Sequence, residues 1–221
     1  MVEEHKDTQP FDKAAFKTAL REWRAALEAN PPSAGRIHLV TLDRRDDCAI
    51  TCHPMEAPKV YLETTLFYFF FTESGRQYHG RTVKLCQDTR RFFEAIKARD
   101  FEPYTSVYVV EEIRAYHSEE LRNEMLKLIT DYGVKILPKD EREKGLADLY
   151  IEAAAFPARY MDDALHVASA TVHGLDFIVS LNFEHIVKDK AIRITVAVNE
   201  AEGYEGIGIY EPGEVMDYEW N

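Results

Sequence analysis

From Val60 to Tyr210 the chain alternates short apolar runs with segments long enough to be helices, and few folds accept that rhythm. Val60-Tyr61-Leu62, Val134 to Leu137, Asp176 to Leu181 and Gly206 to Tyr210 read as buried-type strands. Between them, residues 81–99, 118–133, 140–156, 160–173 and 188–202 read as helices, with Gly133, Gly174 and Gly203 closing three of them. Strands joined through helices of this length are parallel and linked by right-handed crossovers. The expectation is an α/β fold whose mostly parallel central sheet is covered on both faces. Val107 to Tyr116 is readable in two ways. Its β-branched run favours a strand, whereas Thr105 or Ser106 as a cap would start a helix with Val109, Ile113 and Tyr116 facing inward.

Residues 1–57 read as an extension of this body, which spans 58–221. Phe16, Leu20, Trp23 and Leu27 recur at helical spacing, and Pro31-Pro32 is a hard stop. Ile37 to Leu42 and Cys48 to Cys52, separated by the charged turn Asp43 to Asp47, form a hairpin candidate, with Pro54 and Pro58 marking the boundary. Cys48, Cys52 and His53 lack a fourth ligand at finger-like spacing, so a zinc site is not read there. The three cysteines are an odd count, and the opening Met-Val-Glu-Glu-His-Lys-Asp has no basic stretch leading into an apolar run. Both fit a reduced, cytoplasmic protein without a secretory signal. The apolar stretch Val60 to Phe71 is interrupted by Glu63 and too short to span a bilayer.

Charge narrows the function classes. Lys+Arg number 27 against 39 Asp+Glu, a net −12, which excludes coating nucleic acid by bulk positive charge. Residues 81–99 go against this balance, with Arg81, Lys84, Arg90, Arg91, Lys97 and Arg99 facing only Asp88 and Glu94. They read either as a solvated helix face or as a basic rim beside an acidic, metal-binding centre.

Several acids resist explanation as surface. Glu63 directly follows the strand Val60 to Leu62, at the carboxyl end where open α/β sheets bind ligands. Asn182 stands in the same relation to the strand ending at Leu181. Asp163 sits in an alanine-rich helix with little polar cover, and a buried carboxylate demands a partner or a metal. Arg159, one turn earlier, is its candidate ion-pair partner, and Asp162 fits that pair equally well, so that one acid pairs and the other ligates. Glu111 and Glu112 pose the same choice, because helical neighbours point about 100° apart. Oxygen ligands without cysteine or paired histidines point to Mg²⁺ or Mn²⁺, ions that most often serve phosphoryl chemistry. His166, one turn after Asp163 on the same face, and His185 invite a metal role, but His166 reads rather as a hydrogen-bonding residue of the helix layer, and His185 as a cap or a solvent-facing side chain.

At these residues the chain resembles PIN-domain proteins, the metal-dependent ribonuclease fold of VapC-type toxins. Val60 to Thr65, Thr105 to Ile113, Asp163 to Ala168 and Gly174 to His185 resemble the family's four blocks in order. Gly203-Tyr204 and Tyr210 to Glu214 resemble the tail of one subgroup. The resemblance covers about residues 58–221 and implies a PIN-like three-layer sandwich, carrying an N-terminal helix and hairpin extension outside it. It implies a Mg²⁺- or Mn²⁺-dependent endoribonuclease with Glu63, Glu112 and Asp163 as metal ligands and Asn182 as a fourth, positioning residue. Thr64, Ser180, Arg90 and Arg91 would position the substrate. The partners implied are RNA, an antitoxin protein and a second copy of the chain, with no membrane. Two positions depart from the family pattern: Glu63 stands where Asp is usual, and Asn182 where many active members have Asp. Three formal negatives then remain, which suits one divalent cation. The alternative expectation is a catalytically weakened PIN scaffold that binds RNA or protein. Residues 1–57 would cover the site in cis, mediate dimerisation or pack passively.

Overall fold

The computed structural model describes residues 57–72 and 80–217. The helix expected around Phe16 to Leu27, the hairpin candidate, and Cys48, Cys52 and His53 lie outside the described residues. The rest is α/β, with a five-stranded, all-parallel sheet and eight α-helices among the described residues.

In chain order the elements are β1 (Lys59–Leu62), α1 (Thr64–Phe71), α2 (Arg81–Ala98), β2 (Glu102–Ser106), α3 (Val107–Ala115), α4 (Glu119–Asp131), β3 (Lys135–Leu137), α5 (Glu141–Glu152), α6 (Met161–Val172), β4 (Phe177–Val179), α7 (Asp189–Glu202), β5 (Gly208–Tyr210) and α8 (Pro212–Met216). The strands lie in the order β3-β2-β1-β4-β5. Val60, Tyr61 and Leu62 of the central strand are all fully buried. Successive strand residues point to opposite faces, so both faces of the sheet are covered. No helix among the described residues is long and apolar enough to cross a membrane.

Three elements are not fixed by the sequence pattern, each for a local reason. Val107–Ala115 is a helix: Val109, Val110 and Ile113 are buried at helical spacing, which outweighs the β-branched run. Ser106 precedes it but does not cap it with its side chain, because its Oγ lies 2.6 Å from the Tyr61 hydroxyl. Thr64–Phe71, an aromatic run, is also a helix, burying Leu66 and Phe67. Its carbonyl end is held by Arg90, whose guanidinium donates to Phe70 O (3.1 Å) and Thr72 O (2.8 Å). Glu102–Ser106 is a strand although it contains Pro103, which makes its pattern hard to read.

Most other boundaries follow the sequence. Helix α5 ends at Glu152 rather than near Phe156, and Ala154 beyond it adopts a left-handed φ of 59°. At the far end Gly203 (φ 76°) closes α7 in a conformation other residues take at a cost. Gly208 in β5 leaves room for the rings of Tyr210 and Phe177, which a Cβ would strike. Helix α8 was not anticipated; a capping box between Glu211 and Glu214, and Pro212 at its first turn, start it.

Helices α5, α6 and α7 are joined by a buried polar triad. The Tyr150 hydroxyl donates to Asn199 Oδ1 (2.5 Å), and Asn199 Nδ2 donates to Thr171 Oγ1 (3.4 Å). Thr171 passes its own proton to Val167 O (2.9 Å). Asn199→Ala leaves the buried Tyr150 hydroxyl only its longer contact with Thr171 Oγ1 (3.3 Å). We expect a loss of about 2 kcal/mol in urea denaturation, whereas a change within error would show the triad to be passive.

Candidate metal centre

Strands β1 and β4 are neighbours, while their partners β2 and β5 lie on opposite sides of them. This is a topological switch point, and the crevice outside the carboxyl ends of such strands is where open α/β sheets bind ligands. Glu63 is the first residue past β1, and its N–H extends the ladder to Val179 O (3.2 Å). Ser180 is the first past β4. The two loops therefore place an acid and a hydroxyl side by side.

Glu63 is 4% exposed, and its Oε2 accepts from Ser180 Oγ (2.8 Å) and Thr65 Oγ1 (2.5 Å). Those hydroxyls are themselves fixed: Thr65 Oγ1 accepts from Leu181 N and Ser180 Oγ from Asn182 N, both at 2.9 Å. One carboxylate oxygen is thus immobilised. Glu112 arrives on α3, and the Thr64 hydroxyl donates to its Oε2. Its Oε1 lies 3.1 Å from His166 Nε2 on α6. Neighbouring Glu111 points away and pairs with Lys139 at 3.0 Å, so the choice between the two acids falls to Glu112.

His166 is 1% exposed. Its Nδ1 lies 2.8 Å from the Tyr61 hydroxyl, which continues to Ser106 Oγ. Burial disfavours the charged imidazole, but the Glu112 hydrogen bond and the surrounding carboxylates hold its pKa above the ordinary value. Burial likewise opposes ionisation of Glu112, yet His166 and Thr64 hold that carboxyl below the usual range.

Asp163 sits one turn before His166, while adjacent Asp162 is exposed. Asp163 Oδ1 accepts from Asn182 Nδ2 (3.0 Å). Its Oδ2 is buried without a hydrogen-bond partner. Burial pushes the carboxyl up to about 6; Glu63 and Glu112 add to the rise, against His185 and His166. Asn182 Oδ1 accepts from His185 N (3.2 Å), which forces its amide nitrogen toward Asp163. Asn182 is thus a positioner of Asp163, and its oxygen is turned away from the acids. Arg159, the candidate partner of Asp163, lies over the Tyr160 ring.

Glu63, Glu112 and His166 each offer a ligand atom, all within 4.8 Å of one another. Asp163 stands beside this group, close enough for its charge to be felt by His166. A crowd of carboxylates with an orphaned buried oxygen fits a divalent cation, which would neutralise the charge and give Asp163 Oδ2 a partner.

The other expected residues take supporting places. Thr64 and Ser180 brace the carboxylates. Arg90 is spent on the end of α1, and Arg91 meets Asp88 at 3.5 Å on the same helix. Unanticipated are Thr65 and the Tyr61–Ser106 pair, while Arg81 reads in the sequence only as one base of the 81–99 segment. Arg81, at the start of α2, places its guanidinium 4.3 Å over the Phe183 ring, next to Asn182. Tyr61 carried a usable signal, since it stands two residues from Glu63 on the same strand face. No protein-family model matches the chain, and no curated protein matches it.

The Asp163 environment makes a pH-dependent forecast for metal-free protein. Its carboxyl binds a proton more tightly folded (about 6) than at the ordinary value of 3.8, so stability falls as pH rises through that window. Asp163→Asn removes the penalty. In chelator at pH 7 the variant should melt a few degrees above the parent, and the gap should close below about pH 4. A variant that melts lower at pH 7 would contradict this.

Proposed function

We propose that the chain is a PIN-type, divalent-metal-dependent endoribonuclease acting on RNA phosphodiesters. The observation that carries the reading is the gathering of Glu63 and Glu112 with His166 at the sheet's switch point, and beside that group Asp163 with its Oδ2 buried and unpartnered. Glu63, Glu112 and Asp163 would hold Mg²⁺ or Mn²⁺. Bound there, such a cation supplies the positive charge that acidifies a water and offsets charge on a phosphate oxygen.

The chain's own residues do the rest. Thr65 and Ser180 fix Glu63, and Thr64 fixes Glu112, so two ligands are held before substrate arrives. An acid of the cluster would accept the proton of the attacking water, and Asp163, held in place by Asn182, is the one placed beside the group for it. In-line attack would leave a 5′-phosphate and a 3′-hydroxyl. For the RNA backbone, the near end of α2 is the basic surface within reach, through Arg81 and Lys84. The helix is about 27 Å long, so Lys97 and Arg99 lie at its far end. One observation favours the weakened-scaffold reading: the fourth position contributes no charge, and its amide oxygen is already engaged.

Two outcomes separate the readings. With Mn²⁺ and end-labelled RNA, the parent should produce fragments bearing 5′-phosphates, and chelator or Asp163→Asn should abolish them. Arg81→Ala should raise KM a few-fold and leave kcat nearly unchanged, as loss of one phosphate contact would. Cleavage that persists at the parental rate in Asp163→Asn would overturn the nuclease assignment.

A further inference from the structure

We propose that His166 is itself a ligand of the cation through Nε2, and that it makes the site prefer a first-row transition dication over Mg²⁺. The inference rests on the metal-dependent reading above and goes beyond its all-oxygen ligand set.

The first support is position. His166 Nε2 lies 3.1 Å from Glu112 Oε1. Two adjacent ligands of an octahedral ion, each about 2.1 Å from it, stand about 3 Å apart. His166 also belongs to the group whose ligand atoms lie within 4.8 Å of one another, with Glu63 and Glu112.

The second support is the back of the ring. A ligating imidazole characteristically gives its other nitrogen to a fixed partner, which sets the tautomer and the orientation. His166 Nδ1 has such a partner in the Tyr61 hydroxyl at 2.8 Å, and Tyr61 in turn has Ser106 Oγ at 2.6 Å. All three residues are buried to within 1%. Both hydroxyls rotate, so Tyr61 can accept from Nδ1–H and pass its own proton to Ser106. That tautomer leaves the Nε2 lone pair directed at Glu112, an arrangement that a cation between them stabilises and that repels without one.

The consequence for the ion follows from ligand chemistry. Mg²⁺ is hard and prefers oxygen, whereas imidazole nitrogen strengthens binding of the later first-row dications and is tolerated by Mn²⁺. A site of two or three carboxylates and one imidazole should therefore bind Mn²⁺ more tightly than Mg²⁺, by roughly tenfold or more. Replacing the imidazole by an amide should shrink that ratio.

The test uses the full chain loaded with Mn²⁺ and reads nitrogen coupling by electron spin echo modulation. The expected result is a single-histidine ¹⁴N pattern that converts to the ¹⁵N pattern when the protein is made with ¹⁵N-histidine. It should be lost in His166→Gln and kept in His185→Gln, the other histidine near Asp163. The isotope exchange needs no substitution, so the measurement stands if His166→Gln does not fold. Bound Mn²⁺ without nitrogen coupling, or coupling that survives His166→Gln, would overturn the inference and leave the metal-dependent reading intact. No Mn²⁺ binding at all would overturn both.

Discussion

Like charges gathered in one crevice, Glu63 buried and Glu112 and Asp163 half-buried, are the constraint on which the rest of this molecule turns. Glu63, Glu112 and Asp163 come from three separate elements, a strand end and two helices, and none of them has an arginine or lysine among its hydrogen-bond partners. What holds them is a set of hydroxyls, amides and one imidazole. Thr64, Thr65 and Ser180 donate to the glutamates, Asn182 to the aspartate, and His166 ties Glu112 to the central strand through Tyr61. The hydroxyls and amides orient the carboxylates without cancelling their charge. Burial, with Glu63 and Glu112 adding to it, raises the pKa of Asp163 in the metal-free protein. Strain of this kind concentrates where a protein acts on something else.

The scaffold explains why the acids can be kept so close. Each ligand-bearing segment is anchored by a fully buried element: β1 by Val60, Tyr61 and Leu62, α3 by Val109 and Ile113, α6 by Ala164, Val167 and Ala168. Strand β1 pairs with β4 from Val60 to Leu62, so the position of Glu63 relative to Ser180 is set by ladder register. Helix α1 begins immediately beyond Glu63, and Arg90 fastens its far end. A basic residue that charge counting places on a nucleic-acid surface is here consumed in holding a helix beside the site.

Residues that were legible from sequence are those whose roles follow from position along the chain. Glu63 at a strand end and Asp163 in an alanine-rich helix announced themselves because an acid there has few structural excuses. Glu112 could not be told from Glu111, since 100° of helical rotation is resolved only by what packs against the helix. The Thr64–Phe71 helix was hidden by aromatic residues that favour strands in isolation, and β2 by Pro103. His166 was underweighted for a different reason. Spacing places it on the Asp163 face, but only the fold reveals that its two nitrogens meet Tyr61 on one side and Glu112 on the other. Arg81 was legible only as one base of the 81–99 segment, because its contact with Phe183 spans about half the chain.

The central claim is that Glu63, Glu112 and Asp163 share one divalent cation. Anomalous diffraction from crystals of the protein grown with Mn²⁺ tests it most directly. The account predicts one strong peak in the crevice beyond β1 and β4, within bonding distance of those carboxylates. An ordered crevice with no peak, or Mn²⁺ bound only at exposed acids such as Glu214, would contradict it.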